Sequence, residues 1–298
     1  MEIDIRDKED ITHGDIIRLN FVKSSSGYFF RKHFQEGLRS RLMQVLNPAE
    51  VALETAGIMM EGIKWFPLAH PLFMLRLFKK RFESLNDVEQ EIQHFKIIQK
   101  YLPKNHYADS QEIIVPYFIS GRHEILLCGL QEYVEGLTVD PWREDTRARL
   151  TAHYKERLSA EHSLQAFVEC VNTSALSFVH HIKRMIQHAG YVPDLAGSGN
   201  IRITENGCMK LVDINNISRI CFDHRIRLDD KGYPVCDKSI EALSKIEAYF
   251  SGECPNRHAS IYRLFLNRER MMNVRELEKK FHEKTSAFGN YPRLAPLT

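Results

Sequence analysis

Three side chains that suit a hard metal cation lie between positions 194 and 213 of the sequence. Asp194 and Asn200 stand in a loop that contains two glycines, and Asp213 follows an apolar segment. The residues between Asn200 and Asp213 predict a β-hairpin, because residues 201–204 alternate like a strand and residues 205–207 form a Glu-Asn-Gly turn. A hairpin would return Asp213 to the side of Asn200. Carboxylate and amide oxygens are ligands that Mg²⁺ accepts, so this order of residues indicates a site for Mg²⁺ and the phosphates it carries.

The same stretch resembles the catalytic loop and metal-binding hairpin of the protein-kinase-like superfamily, whose pattern is H-R-D-L-x-x-x-N followed by a hairpin and D-F-G. Residues 192–195, Val-Pro-Asp-Leu, correspond to H-R-D-L, Asn200 to the Asn, and residues 213–215, Asp-Ile-Asn, to D-F-G. The step of thirteen residues from Asn200 to Asp213 is that of the family. The step from Asp194 to Asn200 is one residue longer, and Ala196 replaces the lysine that protein kinases carry two positions after the catalytic Asp.

The resemblance implies an α+β, two-lobed protein-kinase-like fold. It would have a small N-lobe with an antiparallel sheet and one main helix, and a larger, mainly helical C-lobe. In this reading residues 1–50 are an N-terminal extension, residues 51–133 the N-lobe, and residues 134–298 the C-lobe. Within the extension, apolar residues recur every three to four positions from Phe30 to Val45 with arginines and a lysine between them. This spacing predicts a basic amphipathic helix, either docked on the small lobe or attached to an anionic surface.

The expected N-lobe contains a basic strand at residues 73–78, Phe-Met-Leu-Arg-Leu-Phe. It resembles the kinase strand V-A-I-K, whose lysine binds the nucleotide phosphates. In this register Arg76 takes the place of that lysine, and Lys79 is a second candidate. An edge strand that its charges keep soluble is the structural alternative. Upstream, Gly57 and Gly62 bracket a segment that could fold over phosphates or form an ordinary turn.

A helix is predicted at residues 87–101, with Asn86 as its N-cap and an apolar stripe along one face. It contains Glu91 in the sequence Glu-Ile-x-x-Phe, which resembles the kinase helix motif E-I-x-x-L. The resemblance implies that Glu91 forms the ion pair that positions Arg76 on the nucleotide.

A strand hairpin follows, and its second strand runs into residues 130–136, Leu-Gln-Glu-Tyr-Val-Glu-Gly. This segment resembles the kinase hinge. The resemblance implies that adenine hydrogen-bonds to the backbone at Glu132 and Val134, and that Gln131 is the gatekeeper at the back of the pocket. Further along, residues 235–243 resemble the helix whose N-terminal Asp, here Asp237, braces the catalytic loop.

The composition is that of an ordinary globular protein of 298 residues, with a formal net charge of +2 that gives no specific nucleic-acid signal. Its six cysteines are scattered without a C-x-x-C pair, which favours reduced thiols over disulfides or zinc. The charged N-terminus does not resemble a signal peptide, and no apolar run is long enough to span a bilayer. We therefore expect a cytoplasmic protein.

The chemistry that the resemblance implies is transfer of the γ-phosphate of ATP, with Mg²⁺ as cofactor, to a hydroxyl-bearing small molecule, sugar or protein. Asp213 and Asn200 would hold the metal, and Asp194 would accept the proton of the acceptor hydroxyl. The absence of A-P-E and of the loop lysine favours small-molecule kinases such as aminoglycoside, choline or lipopolysaccharide-core kinases. The basic segments 31–41 and 76–81 would suit peripheral contact with an anionic membrane face. A pseudokinase or nucleotide-binding scaffold is the alternative, and a helical binding module without nucleotide is a third reading.

Overall fold

The computed structural model describes residues 3–19, 22, 27–34, 37, 39–143, 145–157 and 164–287. The fold is α+β, with antiparallel sheets in the described part of the chain. The helices, in chain order, are α1 (His13–Ile17), α2 (Pro48–Ala56), α3 (Leu85–Tyr101), α4 (Thr146–Arg157), α5 (Leu164–Ala189), α6 (Val235–Ser251), α7 (Ser260–Phe265) and α8 (Arg268–Ala287). The strands are β1 (Phe29–Lys32), β2 (Ser40–Leu46), β3 (Ile58–Met60), β4 (Ile63–Trp65), β5 (Pro71–Phe78), β6 (Ser110–Ile119), β7 (Arg122–Glu132), β8 (Leu137–Val139), β9 (Tyr191–Pro193), β10 (Ile201–Ile203), β11 (Met209–Leu211) and β12 (Ile217–Arg219).

The chain divides into two compact units. The first comprises residues 1–93 and 108–133, and the second comprises residues 94–107 and 134–298. From Val134 onward the chain belongs to the second unit. Helix α3 begins in the first unit and ends in the second.

The first unit is built on a five-stranded antiparallel sheet with the order β1-β2-β5-β7-β6. Across its middle, Arg76 of β5 stands opposite Gly129 of β7, which in turn stands opposite Glu112 of β6. Because side chains alternate between the two faces of a strand, these three residues lie on the same face.

Both faces of this sheet are covered. One face packs against the N-terminal segment, where Ile5, Ile11 and Ile16 are buried with Leu75 and Leu126 of the sheet. The opposite face meets the first turns of α3 in a cluster of four buried residues, Phe78, Phe82, Val88 and Leu127. Burial of these apolar side chains is the main stabilising term that holds the N-terminal segment and α3 to the sheet.

The predicted basic helix at residues 28–46 is wrong. The chain there forms strands β1 and β2, which pair with each other and then with β5. The apolar residues that recur at helical spacing also alternate at strand spacing: Met43 and Val45 are buried on one face of β2. Pairing with β5 decides between the two patterns, because strand preference depends on the neighbouring strands. Residues 29–32 and 40–46 are therefore part of the sheet and not of a separate extension, while residues 35, 36 and 38 of the predicted helix lie outside the described residues.

Between β2 and β5 the chain makes an excursion, residues 47–70, that contains α2 and the β3–β4 hairpin. The segment between Gly57 and Gly62 forms this hairpin, with Ile58 opposite Trp65 and Met60 opposite Ile63. Glu61 and Gly62 make the turn with φ angles of 51° and 81°. Positive φ at both central residues is the geometry of the tight hairpin turn. The segment therefore forms a hairpin with a tight turn, and a position over phosphates stays a prediction.

Helix α3 begins two residues earlier than the sequence predicts. Its N-terminal box is formed by Ser84 and Asp87: the Ser84 N–H donates to Asp87 Oδ2 at 3.0 Å, and the Asp87 N–H donates to Ser84 Oγ at 3.3 Å. The cap is therefore Ser84 and not Asn86, which lies inside the first turn. Ser followed three residues later by a carboxylate is the pattern of a capping box.

The second unit is mainly helical, with three short antiparallel ladders. Its core joins α5, α6 and α7 to the end of α3 and to strands β8–β11, and contains Phe178, Ile182 and Tyr262. Strand β10 lies between β11 and β8, and β9 pairs with β12. No helix in the described ranges has both the length and the apolar character needed to cross a membrane.

Candidate functional site

Two short ladders of the second unit position the residues singled out by the sequence. Strand β9 pairs with β12, and the Asp194 N–H extends this ladder by donating to the Asn216 carbonyl at 2.8 Å. Strands β10 and β11 form the predicted hairpin, which the Val212 N–H closes by donating to the Asn200 carbonyl at 2.7 Å. Asp194 and Asn200 thus stand at the two ends of one loop, and Asp213 directly follows the bond that closes the hairpin.

The loop from Asp194 to Asn200 is held by its own side chains. Asn200 Nδ2 donates to the Asp194 carbonyl at 2.9 Å. Gly197 leaves the space that this carboxamide occupies, since a Cβ at Gly197 would lie 2.5 Å from Asn200 Nδ2. Gly199 has φ of 95°, a left-handed conformation that favours glycine. The two glycines therefore allow the loop to close around Asn200.

The pKa of the Asp194 carboxylate differs from its ordinary value. Burial and the negative charge of Asp213 raise the pKa of Asp194 to about 6, against the lowering effect of hydrogen bonds from Ala196, Gly197 and Asn200. Oδ1 accepts the N–H groups of Ala196 at 3.0 Å and Gly197 at 3.3 Å, and Oδ2 accepts Asn216 Nδ2 at 3.0 Å. Because the charge of Asp213 contributes to this shift in pKa after burial, the two carboxylates lie near each other.

This donor set fits one hard cation. Asp213 supplies a carboxylate, and Asn200 supplies Oδ1, because its amide nitrogen is engaged by the Asp194 carbonyl. Oxygen ligands of this kind suit Mg²⁺, which takes one or two protein ligands and completes its shell with water and phosphate. A cation here would also offset the repulsion between Asp194 and Asp213. Within the described ranges, no cluster of three or more His, Cys, Asp or Glu side chains is arranged to hold a metal.

Residues outside the predicted motif also brace the loop. The Trp142 indole Nε1–H donates to the Ala196 carbonyl at 2.9 Å, and the Leu195 N–H donates to Ser239 Oγ at 3.2 Å. Lys238 lies over the Trp142 ring at 4.0 Å from its centroid and forms an ion pair with Glu241 at 3.1 Å.

Sequence spacing gives no signal for Trp142, since it lies 54 positions before Ala196. Asn216 was missed for a different reason, since it follows the D-F-G-like residues without belonging to the motif.

The bracing role expected for Asp237 is wrong. Its carboxylate is bonded by Arg270 Nε at 2.5 Å and Nη2 at 3.1 Å, and both side chains are buried. Arg270 also donates to the carbonyl groups of Asp223 and Arg225. Asp237 and Arg270 therefore connect α8 and residues 223–225 to α6. The residue of α6 that contacts the loop is Ser239, about half a turn further along the helix.

In the first unit, Arg76 lies in β5, as predicted, and its side chain is buried. Its Nη2 donates to Glu112 Oε1 at 2.6 Å and to Ser110 Oγ at 2.9 Å. The guanidinium crosses Gly129, where a Cβ would lie 2.5 Å from Nη2. Glu112, which carries no motif in the sequence, thus neutralises the charge of Arg76.

Glu91 lies on α3 and accepts a hydrogen bond from Lys80 Nζ at 2.9 Å. Lys79 Nζ donates to the Gly37 carbonyl at 2.9 Å, in the connection between β1 and β2. The ion pair between Arg76 and Glu91 stays a prediction. The structure adds Lys80, a cation two residues beyond β5, as a partner of the helix carboxylate.

The predicted hinge residues lie at the end of β7 and just beyond it. Gln131 is buried between β5 and β6, opposite Met74 and Ser110. The Glu132 N–H donates to the Asp109 carbonyl at 2.8 Å. In the second unit, the buried Val134 accepts a hydrogen bond at its carbonyl from Arg202 at 3.2 Å. The adenine contacts of Glu132 and Val134 stay predictions.

The sequence of this chain matches no model of a known protein family, and no characterised protein is significantly similar to it.

Proposed function

We propose that this chain is an ATP- and Mg²⁺-dependent phosphotransferase with a two-lobed, kinase-like fold, which transfers the γ-phosphate to a hydroxyl group of an acceptor. The observation that carries the proposal is the arrangement of Asp194, Asn200 and Asp213 around one loop and one hairpin, between the paired strands β9 and β12. Phosphoryl transfer needs a residue that orients the acceptor hydroxyl and ligands that hold the metal, and these side chains supply both.

Each of the three residues has a distinct role in this reaction. Asp213 and Asn200 Oδ1 hold Mg²⁺, which when bound neutralises charge on the transferred phosphate. Asp194 accepts the hydrogen bond of the acceptor hydroxyl and then its proton. Its Oδ2 has one hydrogen bond, from Asn216, and keeps a lone pair for that purpose. Burial raises the pKa of Asp194 independently of the charge of Asp213, and this makes the carboxylate a stronger base than an exposed one.

The first unit supports the proposal through its order of elements. The third strand in chain order of its five-stranded sheet, β5, carries Arg76 and leads to Lys80, and α3 then presents Glu91. In kinases a cation that follows this order and is paired with a helical glutamate binds the donor phosphates. The contact at 2.9 Å makes Lys80 a further candidate for that cation beside Arg76 and Lys79.

One observation favours the alternative of a pseudokinase or nucleotide-binding scaffold. Arg76 is buried against Glu112, so a carboxylate already balances the charge that was expected to bind phosphate. A cation that is neutralised in this way attracts the donor phosphates less, which favours a scaffold without turnover.

A phosphotransfer assay separates the two functions. ADP release is measured with MgATP and a panel of hydroxyl acceptors, for the wild type and for Asp194→Asn. The proposal predicts acceptor-dependent release that falls about 10²–10⁴-fold in Asp194→Asn, the usual contribution of a general base. The scaffold would be favoured if the wild type binds nucleotide but releases no ADP, either with any of the acceptors or without one.

We place the reaction in the cytoplasm because all six cysteines are free thiols.

A further inference from the structure

Trp142 reaches the loop that carries Asp194 from outside the motif. It lies between β8 and α4, and its indole Nε1–H donates to the Ala196 carbonyl at 2.9 Å. The N–H of the same residue, Ala196, donates to Asp194 Oδ1 at 3.0 Å. A single residue of the loop therefore connects the indole to the Asp194 carboxylate, so a change at Trp142 reaches that carboxylate.

Helix α6 restricts the position of the indole. The Lys238 ammonium lies 4.0 Å from the centre of the ring, and the Lys245 ammonium, about two turns further along the helix, lies 5.2 Å from it. The face of a tryptophan attracts an ammonium, and the attraction is stronger when the cation is desolvated. Lys238 is only 5% exposed, so its contact is the stronger of the two. These contacts hold the indole while its N–H donates to Ala196.

Carboxylates from two helices hold Lys238 in turn. Its Nζ lies 3.1 Å from Glu241 Oε2 on α6 and 3.1 Å from Glu278 Oε2 on α8. Apolar side chains can often replace a buried ion network of this kind without loss of stability, because the charges must be desolvated. The specific contribution of the network is therefore the fixed position of the ammonium over the indole.

The next residue of α6 contacts the loop directly, since the Leu195 N–H donates to Ser239 Oγ at 3.2 Å. Two consecutive residues of α6 thus act on two consecutive residues of the loop: Ser239 on Leu195, and Lys238 on Ala196 through the indole. Ala196 is buried, and a buried carbonyl that loses its donor is costly. Loss of the indole bond should therefore shift Ala196 and weaken the hydrogen bond from its N–H to Asp194.

We propose that Trp142 is a positioning residue for the phosphotransfer: its indole holds Ala196 so that the Ala196 N–H orients the Asp194 carboxylate toward the acceptor hydroxyl. This inference rests on the proposed function, because the orientation matters only for a reaction with an acceptor hydroxyl. The hydrogen bonds from the loop amides also keep the pKa of Asp194 below the value that burial alone would give. Trp142 therefore acts on both the direction and the protonation of this carboxylate.

Phosphotransfer kinetics of Trp142→Phe test the proposal, because phenylalanine keeps an aromatic face for Lys238 and lacks the N–H donor. We expect kcat to fall about 10-fold, the rate equivalent of one hydrogen bond, while KM for MgATP changes by less than about 2-fold. Asp194 must be ionised to accept a proton, so activity is lost as pH falls through its pKa. Weaker amide bonds raise that pKa, so Trp142→Phe should lose activity at a higher pH than the wild type.

The matched control is Trp65→Phe. Trp65 is the other tryptophan of the chain, lies on β4 and is 53% exposed. This variant should keep the kcat and the pH profile of the wild type, and thermal melts verify that both variants fold.

A carboxyl titration separates this inference from the proposed function, because it needs no turnover. The ¹³C chemical shift of the Asp194 carboxyl, assigned with Asp194→Asn, is followed against pH in the wild type and in Trp142→Phe. We expect a midpoint at about 6 in the wild type and a higher one in the variant. Equal midpoints would overturn the inference, and so would an equal kcat in the two proteins. A shifted midpoint in a wild type that releases no ADP would instead contradict the phosphotransfer and keep Trp142 as the residue that orients Asp194.

Discussion

Gly129 is the residue on which the buried ion pair of the first unit depends. The Arg76 guanidinium crosses it to reach Glu112, and a Cβ there would lie 2.5 Å from Arg76 Nη2 and 3.0 Å from Glu112 Oε2. Gly129→Ala should therefore displace this buried pair and lower the free energy of unfolding by about 1–3 kcal/mol.

Urea denaturation measures this effect, with Gly14→Ala as the control. A Cβ at Gly14 in α1 meets only Thr12 Oγ1 at 3.7 Å, so that variant should be neutral or slightly stabilised. Equal stabilities of the two variants would show that Arg76 and Glu112 rearrange at no cost.

His106 gives the second unit a dependence on pH. It is buried, and its Nδ1–H donates to the Met209 carbonyl while Nε2 accepts from Ser177 Oγ. Burial lowers the pKa of His106 below its ordinary value of 6.5, and the nearby His181 acts in the same direction. As pH falls below about 6.5, the unfolded chain therefore takes up a proton before the folded chain does, and stability declines.

His106 should lower the free energy of unfolding at pH 5.5 relative to pH 7.5, measured by urea denaturation, whereas Asp194, whose pKa is raised to about 6, acts in the opposite direction over the same range. His106→Gln should lose part of this difference, and the exposed His258→Gln should keep all of it. A wild-type difference that His106→Gln leaves unchanged would assign the pH dependence to another group.

Among single residues, the sequence identifies those whose partners are near in the chain. Asp194, Asn200 and Asp213 occupy the predicted loop and the two ends of the predicted hairpin, because turn chemistry and strand alternation are local. Trp142 and Ser239 meet the same loop from other elements. No local pattern reports such a contact, since it depends on how the elements pack.

At the scale of elements, the pair Asp237 and Arg270 joins α6 to α8 and holds residues 223–225. Both side chains are buried, and removal of one partner leaves the other charged and unpaired. Arg270→Ala should therefore cost about 3–5 kcal/mol, measured by chemical denaturation. Replacement of both residues with apolar side chains, Asp237→Leu/Arg270→Met, should cost less than the single change.

Arg268→Ala is the control for this pair, because Arg268 begins the same helix and is exposed; its effect should stay within about 0.5 kcal/mol. A loss in Arg270→Ala no larger than that of Arg268→Ala would mean that the buried pair does not stabilise the helix contact.

Segments whose apolar residues follow a single spacing, either that of a helix or that of a strand, were predicted correctly. Segments whose apolar residues fit both spacings were not. The hairpin of β6 and β7 and strand β5 follow the apolar patterns of their segments. Residues 28–46 satisfy helical spacing and strand alternation at once, and only the pairing of β2 with β5 makes them strands. The start of α3 depended on Ser84, whose capping box with Asp87 is a stronger signal than Asn86 alone.

At the scale of the whole molecule, the two units differ in how far the sequence describes them. In the second unit the loop, the hairpin and the Asp213 that follows it lie in the predicted order. In the first unit the sequence analysis did not include β1 and β2 in the sheet, nor the N-terminal segment that covers one of its faces, because neither carries a motif. The sequence also does not show that the β3–β4 hairpin exposes its apolar residues, since apolar residues normally indicate a core.

The measurement that tests the central claim most directly is the melting temperature with and without ATP and Mg²⁺, for the wild type, Asp213→Asn and Asp194→Asn. A ligand at 100 times its dissociation constant stabilises the folded state by about 2.7 kcal/mol, or roughly 5–10 °C for a protein of this size. We predict a metal-dependent rise of this order in the wild type and in Asp194→Asn, which keeps both metal ligands, and its loss in Asp213→Asn. No rise in the wild type at millimolar MgATP, or an equal rise in Asp213→Asn, would contradict the assignment of the Asp194–Asn200–Asp213 arrangement as a Mg²⁺–ATP site.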